Sequence, residues 1–355
     1  MPRLKYTVAQ QIASMKSHGV SFALCDEDAA AEFLTSRTYF FKLKAFENNF
    51  ERVGDRYTGL DFAYLKDLST IDFHLRTLLS YCCLNIEHAL KVRFNRLIMD
   101  DPAEDGYDVV HRFDPDGEFR FHGDYRHSRY HHSVYTEGLL RKYFDDPAVW
   151  NLWETVDFST LCRLYQSYID SRGMKDNSTN LFRSVRILRN AASHGNCLII
   201  GIRKDIRPTR YVKNCLSELD RLTGSNTTPL YSSLRRYPLV HDFASVLCAF
   251  LILVDSPGIR SDAAKQLEEF SRRLCARYDY AGMKEAPMLA AVVGSLGVLC
   301  DVVSGYLITH ADDYAGNRIL HTSPVHRKSE DRGQAGSGRS RLYALGDTGA
   351  TCRVR

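Results

Sequence analysis

The chain has 355 residues, of which 44% are hydrophobic, 25% charged and 11% aromatic. This is ordinary globular composition, and it excludes a collagen, a coiled-coil rod and a wholly disordered chain. Lys and Arg number 47 against 43 Asp and Glu, a formal charge of +4, which permits a nucleic-acid partner without requiring one.

The N-terminal stretch MPRLKYTVAQQIASMKSHG lacks the apolar core of a secretory signal. Tyr6 to Lys16 reads as a short amphipathic helix, and Asp26 is placed to cap a second, DEDAAAEFLTS. The run Arg37 to Phe46 is aromatic and basic. Its density of rings reads as core, with RNA contact through Lys42 and Lys44 as the other reading. A long helix is expected from about Asp61 to Ile98, with one break near Ser69 and Thr70. Leu75, Leu78, Leu79, Cys82 and Ile86 recur on it at spacings of three and four. Arg76 and Glu87 lie eleven residues apart, close to three turns, and so share a face. They read as an ion-pairing set that positions the bundle, or as groups that orient functional side chains on a neighbouring helix.

Residues 100–132 break the helical pattern and hold five of the thirteen histidines: His111, His122, His127, His131 and His132. Their spacing closes no four-ligand set, so no metal is expected there. Arg126 and Arg129 interleaved with Tyr125 and Tyr130 suit contact with single-stranded RNA, or else a solvated loop. Helical patterns resume over Glu137–Phe144, Pro147–Tyr168 and Ser178 to about Cys197, with Trp150 and Trp153 read as packing anchors. Residues 203–229 read as a polar, turn-rich connection. Two apolar segments, Val240–Val254 and Met288–Ile308, flank a charged amphipathic helix over Ser261–Tyr278. The second is about as long as a membrane span. Asp301 within it carries an insertion cost of a few kcal/mol, which favours a buried helix or helix pair. From about His321 the chain is polar and rich in Gly and Ser, and reads as a flexible tail. Strand-like alternation is rare and no repeat is evident, so the expected fold class is all-α. Ten scattered cysteines without a CxxC argue for core thiols in a reducing cytoplasm and against a zinc ribbon.

The residues suited to chemistry lie in Leu181-Phe-Arg-Ser-Val-Arg-Ile-Leu-Arg-Asn-Ala-Ala-Ser-His-Gly-Asn196. At 100° per residue, Arg186, Asn190 and His194 stack on one helix face, and Arg189 is long enough to reach round to it. Val185, Ile187, Leu188 and Ala191 are expected to anchor the helix. A guanidinium, an amide and an imidazole together suit phosphodiester chemistry on RNA. Histidine titrates near neutrality and can move a proton. Arginine is a fixed cation whose planar fork matches phosphate oxygens.

The stretch Leu188-Arg-Asn-Ala-Ala-Ser-His-Gly resembles the R-x4-H motif of HEPN-domain ribonucleases. Residues from about 20 to 200 are similar to the Abi-like family of abortive-infection proteins, the AbiD/AbiF type. Four further segments carry this resemblance in order: Leu34 to Phe46; Phe62 to Asp72 followed by Leu75-Arg76; Ile86-Glu87 to Arg93; and Pro147 to Phe158. Lys91 departs from the family pattern, as does Ser159 after Phe158, where Gly is often seen. The resemblance implies a HEPN-like helical bundle, assigned to residues 1–256, and the chain beyond it reads from its own pattern as a helical extension over 257–316 and a flexible tail over 317–355. It also implies metal-independent RNA cleavage without a cofactor, leaving a 2′,3′-cyclic phosphate and a 5′-hydroxyl, in phage defence or toxin-like growth arrest. Arg189 and His194 would be the catalytic pair and Asn190 the polar residue within the motif. RNA, a second copy in a homodimer and an antitoxin or regulatory protein are the implied partners, with no membrane. The competing expectation is a non-catalytic helical module that binds RNA or a partner protein.

Overall fold

The structure is a computed structural model that describes residues 5–114, 134–143 and 146–310. Among these residues the fold is all-α, with a single two-stranded hairpin. The residues 122–132 named above, and the tail, lie outside the described residues.

Helix α1 (Val8–Ser17) begins at a reciprocal cap between Thr7 and Gln10. Helix α2 (Glu27–Ser36) begins where the Asp26 carboxylate accepts from the Ala29 amide at 2.8 Å. The aromatic run forms the short α3 (Phe40–Lys44) and a 3₁₀ turn, Ala45–Asn49. The expectation that this run is core holds only in part. Leu43 and Phe46 are fully buried, whereas Tyr39 is 61% and Phe41 78% exposed. A hairpin follows, pairing β1 (Arg52–Val53) with β2 (Arg56–Tyr57).

Helix α4 (Phe62–Met99) runs 38 residues without the expected break. The Thr70 hydroxyl donates back to the Lys66 carbonyl at 3.2 Å, so this polar residue is accommodated on the helix rather than ending it. Beyond it come α5 (Asp108–Phe113), α6 (Glu137–Tyr143), α7 (Val149–Leu152), α8 (Phe158–Ser171), α9 (Phe182–Ser193), α10 (Arg210–Thr223), α11 (Leu230–Arg236), α12 (Pro238–Leu253), α13 (Pro257–Leu274) and α14 (Pro287–Thr309). The expected single helix over Pro147–Tyr168 is two, because Asp157 leaves the helical conformation and caps α8 through the Thr160 amide at 2.7 Å. Trp153 is buried and donates to Asn95, whereas Trp150 is half exposed and covers Gly106. The stretch 203–229 holds α10, not only turns. Val212, Cys215, Leu216 and Leu219 bury one stripe of it, between a Thr209 cap and a left-handed Gly224.

One continuous apolar core surrounds α4, with α9 packed between α4 and α12, and α13 packed between α4 and α14. Tyr81 donates to the Ile259 carbonyl at 3.1 Å and Tyr280 to Asp67 at 3.0 Å, so α4 and the α13–α14 region share polar ties as well as core. Helix α14 is one continuous helix, and 56% of its apolar window is buried against its neighbours. It is long and apolar enough to cross a membrane, but Asp301 sits on its outer face, where it accepts from Ser271 at 2.6 Å.

Candidate active site

The site is built on the last two turns of α9 and the turn that follows. Phe182, Ser184, Val185, Leu188 and Ala192 face the core. Ser184 donates to Asp242 of α12 at 2.7 Å, and the Cys83 thiol of α4 lies 3.9 Å from the Val185 carbonyl. Ile187, expected among the anchors, is instead 42% exposed. The register that buries Val185 and Leu188 turns Ile187 outward, beside Arg183, Arg186 and Asn190, and Ala191 is only half-buried.

The helix stops for a local reason. Gly195 adopts φ +67°, which only glycine takes without strain. Its amide returns to the Ala192 carbonyl at 3.1 Å, and the Asn196 amide to Ala191 at 2.9 Å, the paired bonds of a left-handed C-terminal cap. His194 is therefore the residue at which the chain turns, exposed on the surface.

Three side chains from distant segments hold this turn. Lys42 Nζ donates to the Gly195 carbonyl at 3.0 Å. Asp72 of α4, fully buried, accepts the Leu198 and Ile199 amides at 2.7 and 3.0 Å. Asn49 donates to the Ile199 carbonyl at 2.8 Å. Asp72 also accepts from Arg76 Nε at 3.0 Å, and Arg76 Nη1 lies within 3.7 Å of where a Gly195 side chain would begin. The structure thus brings Arg76 to the turn after His194. Of the three tethers, Lys42 was named from the sequence as an RNA contact and Asp72 only as the end of a segment that carries the family resemblance, and Asn49 was not named. An aspartate four residues before an arginine on one helix face is the sequence signal of a pair, but it does not say which backbone amides the aspartate serves.

Arg189 points toward α4. Its Nη2 lies 3.6 Å from Glu87 Oε2, and its Nη1 contacts Asn190 Oδ1 at 3.4 Å. Glu87 also pairs with Lys91 at 3.3 Å. The shared face of Arg76 and Glu87 therefore meets α9 at two points, Glu87 at Arg189 and Arg76 at the Gly195 turn. Arg186 is drawn the other way and donates to Ser159 Oγ on α8 at 2.9 Å. Asn190 and His194 are exposed, and among the described residues no side chain bonds the His194 ring. Burial pushes the neighbouring thiols up. Cys83 and Cys162 are raised by desolvation, and Cys197 reaches about 11 through burial and the Asp72 charge, against the pull of Lys42 and Arg76. These thiols stay protonated and are not nucleophiles at neutral pH. Among the described residues no three His, Cys, Asp or Glu side chains stand together as a metal-binding group.

The arrangement offers an exposed imidazole at a rigid turn, a guanidinium held by a carboxylate on an adjacent helix, and further cations within reach. Residues 32–199, just under half of the chain, match the family model described as Abi-like protein. The match ends at the turn that Asp72 anchors. No curated protein and no solved structure matches the chain significantly.

Proposed function

We propose that the chain is a metal-independent RNA endonuclease of the HEPN type that acts in abortive infection or toxin-like growth arrest. The match of residues 32–199 to the Abi-like family supports the biological setting. The observation that carries the chemistry is His194, exposed at the Gly195 turn with its ring unbonded among the described residues, five residues after an Arg189 that Glu87 holds.

In this reading the His194 imidazole takes the proton from a ribose 2′-hydroxyl. The 2′-oxygen attacks the adjacent phosphorus and the bond to the 5′-oxygen breaks. The leaving oxygen takes up a proton, so the products are a 2′,3′-cyclic phosphate and a 5′-hydroxyl. Arg189 supplies positive charge to the phosphoryl oxygens, where charge builds in the transition state. Glu87 orients the guanidinium, and Asn190 accepts from it. A homodimer that packs on the outer face of α9, around Ile187, would bring a second Arg–His pair to supply the acid. An antitoxin or regulatory protein would act by covering the same face.

The products' ends test this reading. Wild-type protein in EDTA should leave 2′,3′-cyclic phosphate and 5′-hydroxyl termini, and a 2′-deoxy residue at the cut position should block cleavage. Products ending in 3′-hydroxyl and 5′-phosphate would refute it. A second reading, a binding module without catalysis, draws on the Arg189–Glu87 pair, since a guanidinium already ion-paired can serve recognition alone. It predicts RNA affinity with no cut ends.

A further inference from the structure

A groove of about 810 Å³ opens between the α2–α3 segment and the first half of α4. That is within the range of ligand sites, about 300–1,000 Å³. Four cations line it: Arg37, Lys42, Lys66 and Arg76, against a single carboxylate, Glu32. Arg76 has Asp72 as its partner, but among the described residues Arg37, Lys42 and Lys66 form no ion pair with a carboxylate. Two aromatic rings on its walls are turned to solvent, Tyr39 at 61% and Phe73 at 55% exposure. Exposed rings on a groove wall offer faces on which unpaired bases can stack.

The groove runs into the candidate site. Lys42 lines its wall and bonds the Gly195 carbonyl, and Arg76 lines the same wall while standing beside Gly195. A strand lying in the groove would therefore meet, at Lys42 and Arg76, the turn that carries His194.

We infer that this groove is the track for single-stranded RNA flanking the scissile bond. Arg37, Lys42, Lys66 and Arg76 neutralise successive phosphates, and Tyr39 and Phe73 stack unpaired bases. The inference rests on the ribonuclease reading for its substrate, but its test does not depend on cleavage. Stacking on exposed rings requires splayed bases, which a single strand offers and a duplex does not. Cations spaced along a wall, three of the four without a carboxylate partner among the described residues, are what counterion release from a backbone needs.

The probe is a fluorescent, non-cleavable 2′-O-methyl oligoribonucleotide, used single-stranded, as a duplex, and as an abasic strand of equal length. Full-length wild type should bind the single strand more tightly than the duplex. Arg37→Glu and Lys66→Glu leave Arg189, His194 and the Gly195 tethers unaltered. Each should weaken binding roughly tenfold and reduce the salt slope by about 0.7 for the neutralised phosphate. Tyr39→Ala and Phe73→Ala should each cost about fivefold or more with the normal strand and leave the abasic strand unaffected. His194→Ala should bind like wild type. The proposal is overturned if wild type does not bind the single strand, or if the charge-reversal variants bind like wild type. It is also overturned if the ring variants weaken the abasic strand as much as the normal one, or change neither. That last result would mark a surface for a polyanion such as an acidic peptide. Binding of the single strand by a wild type that cuts no RNA would instead sink the ribonuclease reading and leave the groove standing.

Discussion

Lys42 Nζ lies 3.0 Å from the carbonyl oxygen of Gly195, across 153 positions of sequence. That one bond joins the cationic groove to the turn that carries His194. Together with the Asp72 and Asn49 contacts, it makes the position of the imidazole a property of the α3–α4 framework as well as of α9. A change at the start of the chain can therefore alter the site without touching it.

Asp72 is the strongest of these ties. It is fully buried and serves two backbone amides and a guanidinium. Replacing it by alanine leaves Arg76 and two amides without their acceptor. The expected cost is about 3–5 kcal/mol, read as a lower urea midpoint with unchanged slope. Asp72→Asn keeps one acceptor oxygen and should lose less. Equal midpoints for wild type and Asp72→Ala would show that the turn is held by something else.

Glu87 stands between Arg189 and Lys91 and neutralises both in part. In Glu87→Gln the two cations lose that shared anion, and Arg189 loses the group that orients it. Inorganic phosphate should then inhibit more strongly and KM should fall. kcat should also drop, by roughly tenfold, as expected when an aligned group is set loose. A higher KM with unchanged kcat would contradict a positioning role.

Burial raises the carboxyl of Glu47, and burial likewise raises Asp67 against the opposing hydrogen bond from Tyr280. A raised folded-state value means that the native protein holds these protons more tightly than the unfolded chain. Their contribution to stability is full below the ordinary carboxylate range and is lost as pH rises through the raised values. Glu47→Gln and Asp67→Asn should therefore gain stability relative to wild type as pH is raised from 4 to 7. The check is thermal unfolding of each variant across that range, and parallel curves would contradict it.

The thiols give a chemical test of the packing. Burial pushes Cys82 up to about 12, and Cys197 sits at about 11, while Cys275 is exposed. Brief iodoacetamide treatment at pH 7.5, read by peptide mass spectrometry, should label Cys275. Cys82, Cys83, Cys248 and Cys300 should stay unlabelled until the protein is denatured. Rapid labelling of Cys83 would mean that the α4–α9 contact opens.

Much of this was legible in the amino-acid sequence, for physical reasons. The spacing of Leu75, Leu78, Leu79 and Cys82 marks α4, and the Arg189-to-His194 interval ending at Gly195 marks both a helix and its stop. Helix α10 was hidden because its stripe of Val212, Cys215, Leu216 and Leu219 lies among polar residues, where composition suggests a loop although period suggests a helix. Ile187 was misplaced because one step of helical register separates an anchoring position from an exposed one. The groove was not legible at all. Arg37 and Lys42 precede the hairpin while Lys66 and Arg76 follow it, and only the packing of α3 on α4 brings the two pairs to one wall.

The most direct measurement is cleavage of a labelled single-stranded RNA in EDTA by wild type, Arg189→Ala and His194→Ala, with circular dichroism confirming that all three are folded. The account predicts that wild type cuts and that each variant is slower by roughly 100-fold or more, the usual scale for losing a proton-transfer group. Equal cutting by all three folded proteins, or none by any, would contradict it.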